Sequence, residues 1–361
     1  MRIDGYELRT YRLPYKRPVR WFNSSETAGE FIALRLMADG ARGVAELPLK
    51  PTWAGLSPRA VVALVEDLYL PALAQVDIAD WFAVRTALLS FPGNHVAKML
   101  VVNACATLGA CAAGQPIWSR AGGNREVELS WCVTRQTPGE MAAEAEAMVA
   151  RHGFRTLKVK GGQGLETDRA ALRAIRSAVG PNLVLTVDAN GAYPMTQALG
   201  YVGFLAEEGV AVAEDPAPLI PGAALTGLIA AAALPILIDS PCVTAADARE
   251  YIAAGARALS VKPGRVGFAE CAAIADLAAG EGVSLCSGLY AESALGSLIA
   301  LQQAGSIPSP LVPAEQSFFL LMTSQILQES LDVKEGRLRL PSAADLDAMA
   351  NWTLSDRIGG R

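Results

Sequence analysis

The sequence predicts an α/β protein: a modified TIM barrel of eight strands and seven helices, preceded by an N-terminal α+β capping domain. Two observations predict it. From about residue 126 onward, short β-rich runs alternate with alanine-rich amphipathic segments over short connections, the pattern of a parallel βα array. Before that point the rhythm differs, with a hairpin followed by longer helical stretches. At 361 residues the chain is longer than one ordinary domain and well short of three. The expected division is a cap over 1–124, a barrel over 125–315 and a C-terminal segment over 316–361 that returns to the cap.

Taken in order, residues 31–37 and 42–47 flank Asp39-Gly40, a dipeptide suited to a hairpin turn. Helical patterns follow at 57–75 and 96–113. The strand candidates are then 127–133, 155–160, 183–188, 210–214, 235–239, 257–262, 283–287 and 311–314. Eight such runs separated by seven helical stretches indicate a closed barrel rather than an open sheet. His152 stands beside Gly153, where a helix should end, so a helix-terminal place is expected for it.

Composition narrows the function classes. Hydrophobic residues make up 52% of the chain and charged residues 19%, and much of the apolar share is alanine, which suits closely packed helices. The longest apolar run, 223–238, is interrupted by Thr226, Gly227 and Pro235 and falls short of the roughly 18 apolar residues a spanning helix needs. No membrane partner is expected. The first residues mix charges of both signs, unlike a secretory signal, and a cytoplasmic location is the expectation. Six scattered cysteines with no CxxC pair are expected as reduced, buried thiols. A net charge of −5 with dispersed basic residues argues against nucleic acid. With only two histidines, His95 and His152, acid–base chemistry should fall to lysine or carboxylate.

In a βα barrel, chemistry gathers at the C-terminal ends of the strands. Strand two ends in Lys158-Val159-Lys160, which puts both lysines on one side of the strand. Strands three, four and five end near Asp188, Glu214 and Asp239, and strand six near Lys262. One acid at a strand end often caps the following helix. Three on consecutive strands, flanked by strands ending in lysine, are harder to explain by capping and should converge into an oxygen-rich corner suited to Mg2+ or Mn2+. A proton next to a carboxylate is only weakly acidic. A metal that holds the resulting enolate charge, with a lysine that takes the proton, meets the need, and Lys158 beside Lys160 favours a neutral base.

With these residues in place the chain resembles the enolase superfamily, and within it the muconate-lactonizing-enzyme subgroup, through TLKVKGGQG (156–164), LTVDANGAY (185–193), AEDPAP (213–218), SVKPGRVG (260–267) and SGLYAESALGS (287–297). The resemblance implies metal binding by Asp188, Glu214 and Asp239, acid–base roles for Lys160 and Lys262 on opposite faces of a small carboxylate substrate, and a carboxylate-polarising role for Lys158. Asn190 would support the metal shell. VPAEQSFFLLM (312–322) is similar to the cycloisomerase tail, with Glu315 at the end of strand eight and Glu292 after strand seven, and the resemblance implies that both, with Asn190, take part in substrate binding. Three positions depart from the pattern: Ser240 stands where a glutamate is usual, Phe268 where a glycine is usual, and Asn103 where an aspartate is common.

The cap loops of this family select the substrate. Here they are 15–22, with Arg17, Arg20 and Trp21, and 51–55, with Trp53. Arg17 or Arg20 is expected to meet a second carboxylate while Trp21 or Trp53 packs on the carbon skeleton; alternatively the aromatic lid holds a quaternary ammonium. The leading expectation is a muconate-type cycloisomerase. The alternatives are a racemase or epimerase of an amino-acid derivative (N-acyl, dipeptide or betaine), then a dehydratase or a Schiff-base aldolase. Similar proteins commonly assemble, so a homo-oligomer is expected.

Overall fold

A computed structural model describes residues 1–22, 24–307 and 310–360. The cap is built on an antiparallel meander of Gly5–Arg20, Ser25–Ala38 and Ala41–Pro48, and the C-terminal strand Asp356–Gly360 adds to its free edge beside the first strand. The hairpin at Asp39-Gly40 forms as expected: Ala38 opposes Ala41, and both turn residues take positive φ, at 50° and 80°, as a two-residue type I′ turn requires. The strand Gly5–Arg20 is not expected from the sequence, and Ser25–Ala38 extends well beyond the expected 31–37. Their far ends form the loop 15–22 as a second hairpin, in which Val19 opposes Glu26 and Trp21 N donates to Ser24 O at 2.8 Å.

Helix His95–Ala112 packs across this sheet. It is long and apolar enough to cross a membrane, but 78% of its apolar window is buried inside the protein. Thr107 Oγ1 accepts from Val44 N and donates to Val44 O, both at 2.8 Å, which pins strand to helix. The approach is close enough that a Cβ on Gly43 would lie 2.2 Å from Ala104 O.

Seven strands form the regular part of the barrel: one (Trp131–Val133), two (Thr156–Lys160), three (Val184–Asp188), four (Val212–Glu214), five (Ile236–Ile238), six (Ala258–Val261) and seven (Ser284–Ser287), all parallel to their neighbours. The expected strand at 127–133 is split. Glu126–Glu128 leaves the barrel to pair with Arg337–Arg339, and only Trp131–Val133 stays. The eighth segment, 311–315, is no regular strand, because Pro310 and Pro313 remove ladder donors. It still closes the barrel: Leu311 N and Glu315 N donate to Leu285 O and Ser287 O, each at 2.9 Å, while Ser130 N donates to Ala314 O at 2.8 Å.

A helix follows each of the seven strands, beginning with Pro138–His152 and ending with Ala294–Ala304. The first is started by a Thr137–Glu140 capping box and stopped by Gly153 at φ 70°, with His152 in its last turn.

Candidate active site and metal centre

Strand register brings the charged residues together. Lys160 opposes Asp188 and Asp188 opposes Glu214, so three strand ends lie at one level of the barrel mouth. Asp239 and Lys262 follow the last residues of strands five and six. Strands two and six have three strands between them on one side and, counting the closing segment, three on the other. Lys160 and Lys262 therefore face each other across the barrel.

Asp188, Glu214 and Asp239 are all buried and offer carboxylate oxygens within 4.8 Å of one another. Lys158 Nζ lies beneath them, fully buried, 2.7 Å from Glu214, 3.1 Å from Glu315 and 3.4 Å from Asp188. Lys160 Nζ is 2.5 Å from Asp188 Oδ2, and Lys262 donates to Asp239 Oδ2. Burial resists the charge on Lys160, but Asp188 outweighs it and raises the pKa; Glu214, Glu315 and Asp188 do the same for Lys158 more strongly. Burial also works against the ionised form of Asp188 and Asp239. Lys160 and Lys158 overcome it at Asp188, and Lys262 and Arg265 at Asp239, holding both carboxyls below the usual range. Glu214 goes up instead, driven by burial and by the charge of Asp188.

The donor set fits a hard divalent cation. Three carboxylates supply only oxygen, and Asp239 Oδ1 is buried without a hydrogen-bond partner among the described residues. Asn190 steadies the corner: its N and Nδ2 donate to the two oxygens of Asp188 at 2.8 and 3.0 Å, from a left-handed backbone at φ 51° that asparagine tolerates. Asp215 holds the turn after strand five by accepting from Asp239 N at 3.1 Å, Ser240 N at 2.8 Å and Ser240 Oγ at 2.6 Å. Burial and the Asp239 charge push its carboxyl up to about 6.

A cavity of about 330 Å³ opens above this corner, lined below by Lys160, Asn190, Asp239, Ser240, Lys262 and Arg265 and above by Trp21, Phe22, Thr52, Trp53 and Tyr290. Of the residues assigned to substrate from the sequence, Trp21, Trp53 and Asn190 line it. Arg20 does not; it is exposed beside Arg135, at the turn end of its hairpin, where it opposes Ser25. Arg17 is held by Glu144 and by Thr134 Oγ1 at 3.0 Å. Glu292 and Glu315 are buried and do not line the cavity; each accepts from the backbone of the strand-seven loop, Tyr290 N donating to Glu292 at 2.7 Å and Leu289 N to Glu315 at 3.2 Å, and Glu315 also accepts from Lys158. The arginine at the cavity is Arg265, which donates to Asp239 O at 3.0 Å and Cys242 O at 3.1 Å. Its position three residues after Lys262 was the available signal. Behind the lid, Lys50 Nζ stands over Trp21, Trp53 and Tyr15 at 5.1, 5.4 and 5.9 Å from the ring centroids.

A cap over a βα barrel, with three acids on consecutive strands and lysines across the mouth, defines an enolase-type enzyme, and residues 140–344 match the family model described as Enolase C-terminal domain-like. The chain belongs to that family. It is 30% identical to an N-succinylamino acid racemase of Thermus thermophilus, over 99% of this chain and 97% of the other, and 27% identical to muconate cycloisomerase 1-2 of Acinetobacter lwoffii, over 99% and 95%. A muconate lactonizing enzyme from Mucobacterium Smegmatis, solved with muconolactone, superposes with a TM-score of 0.89 at 26% identity, covering 96% of each chain. Enzymes of the superfamily bind a divalent metal, and these relatives are isomerases.

Proposed function

We propose that this enzyme moves a proton on and off the carbon next to a substrate carboxylate and inverts that centre, acting as a racemase or epimerase of a small N-acylated amino acid or related carboxylate. The observation that carries this reading is the opposition of Lys160 and Lys262 across one cavity, each paired to a different acid of the triad. Inversion needs a proton carrier on each face, whereas ring closure needs only one, and this supports racemisation as the first reading beside the cycloisomerase expectation.

Asp188, Glu214 and Asp239 would hold Mg2+ or Mn2+, which supplies Lewis-acid stabilisation of negative charge developing on the substrate carboxylate. Lys158 keeps Glu214 and Glu315 oriented from below. Lys160 takes the proton from one enantiomer at its Nζ while Lys262 returns one from the other face, and the roles reverse for the mirror substrate. Trp21, Trp53 and Tyr290 cover the reacting carbon and exclude water. The second reading is cycloisomerisation of a muconate-like diacid, favoured by the similarity to muconate cycloisomerases.

The test is α-proton exchange in deuterated water with Mg2+, using N-succinyl and N-acetyl amino acids, dipeptides and muconate, read by mass spectrometry and chiral chromatography. Inversion with deuterium uptake is expected, and chelation of the metal abolishes it. Lys160→Ala and Lys262→Ala should each lose racemisation, by about 10³-fold or more, yet each retain exchange of the enantiomer facing the surviving lysine. A lactone from muconate without inversion of any amino acid establishes the second reading instead; metal-independent turnover overturns both.

A further inference from the structure

The roof of the cavity is held by a cation that the proton transfer does not use. Lys50 ends the third cap strand's exit and caps the short helix Pro51–Ala54, where Trp53 N and Ala54 N both donate to its carbonyl at 2.9 Å. Its ammonium is almost wholly buried, over the rings of Trp21 and Trp53, and paired with Glu26. The same Glu26 oxygen accepts from Trp21 Nε1 at 3.1 Å. One ion pair thus joins the two cap loops and fixes both tryptophans, which meet edge to face at 5.0 Å between centroids.

An aromatic ring attracts a cation through the negative potential of its face. Here that attraction is already answered from behind the rings, inside the protein, and the basic groups lining the cavity among the described residues are Lys160, Lys262, Arg265 and His95 against the carboxylate of Asp239. A positively charged substrate group brought to the roof meets rings already engaged by an ammonium, with lysine and arginine below. Building on the proposed assignment of this cavity to substrate, we propose that Lys50 is a specificity-determining residue: its buried ammonium occupies the aromatic roof, so the site selects neutral or anionic distal groups and rejects cationic ones.

Replacing Lys50 by methionine keeps the stem volume, removes the charge and leaves Glu26 beneath the rings without its ammonium, converting the roof into a receptor for cations. The probe is tetramethylammonium chloride, titrated calorimetrically into the full-length protein with Mg2+ present, against sodium chloride of equal ionic strength. Binding to Lys50→Met at least tenfold tighter than to the wild type is expected. The double variant Lys50→Met/Glu26→Gln, which deletes both charges and leaves no carboxylate unpaired, should fall between them, and it carries the test if the single variant fails to fold. Equal affinity of the wild type and the variants for the probe overturns the proposal. Calorimetry requires no turnover, so this outcome is independent of whether the α-proton exchange assay succeeds. Where exchange is seen, the rate ratio of N-acetyl-lysine to N-acetyl-norleucine should rise about tenfold in Lys50→Met; an unchanged ratio counts against the proposal.

Discussion

Lys158 and Lys160 leave the same side of one strand and meet different surroundings two residues apart: the first is sealed among three carboxylates, the second reaches the cavity. Alternation along a strand predicts their common side but not that difference in depth, which depends on the barrel closing around them. The triad and the three lysines were legible because strand ends can be located from periodicity. Lys50 was not, since its significance rests on Glu26, which only folding brings near, and Arg265 was signalled only by its spacing from Lys262, its contact with Asp239 forming on folding. Glu292 is the residue whose state should be visible in solution. Burial pushes its carboxyl up to about 7, and its Oε1 lacks a hydrogen-bond partner among the described residues. Between the ordinary value of 4.5 and 7 the folded protein holds a proton that the unfolded chain has released, so stability falls as pH rises through this window. The loss is on the order of 3 kcal/mol. Urea melts of Glu292→Gln should show that slope flattened; a slope equal to the wild type's would contradict a raised pKa.

At the scale of elements, the parallel repeats were readable and the cap strands were not. Gly5–Arg20 carries four arginines, a lysine and two prolines that hide its alternation, and it becomes a strand because Ser25–Ala38 supplies a partner for most of its length. The eighth barrel run, expected as a strand over 311–314 from the βα repeat, has prolines that leave it hydrogen-bonded at only a few points. Helix His95–Ala112 meets the strand-six loop through Asn103, whose Nδ2 donates to Pro263 O and whose Oδ1 accepts from Phe268 N, both at 2.9 Å. An amide can do both; a carboxylate can only accept. This accounts for asparagine where the family commonly has aspartate. Asn103→Asp should therefore destabilise the protein by about 1–3 kcal/mol in thermal unfolding, since it sets an acceptor against the Pro263 carbonyl. It should also lower kcat, because Pro263 adjoins Lys262. Unchanged melting would show the contact to be dispensable.

Across the whole molecule, one buried carboxylate joins cap to barrel. Glu46, at the end of the third cap strand, accepts from the Tyr11 hydroxyl, from the Ser293 hydroxyl and from Ser293 N at 2.9 Å, at the start of helix Ala294–Ala304. Burial raises its pKa while these donors resist the rise. Glu46→Leu strands three donors in the interface. It should cost about 3 kcal/mol and separate the unfolding of cap and barrel, seen as non-coincident fluorescence and circular dichroism transitions. Coincident transitions would mean that the remaining cap–barrel contacts, Asn103 with Pro263 and Arg17 with Glu144 among them, suffice to couple the two parts.

The pairing of Asp356–Gly360 with the first strand has a kinetic side. Arg9 donates to Ser355 across 346 positions of sequence, so the edge of the cap sheet closes one of the longest loops in the chain. Loop closure of that span is entropically slow, whereas each βα unit needs only its neighbours. Refolding should thus assemble the catalytic floor before the sheet that carries its roof is complete, leaving an interval in which the lysines are in place but still open to solvent.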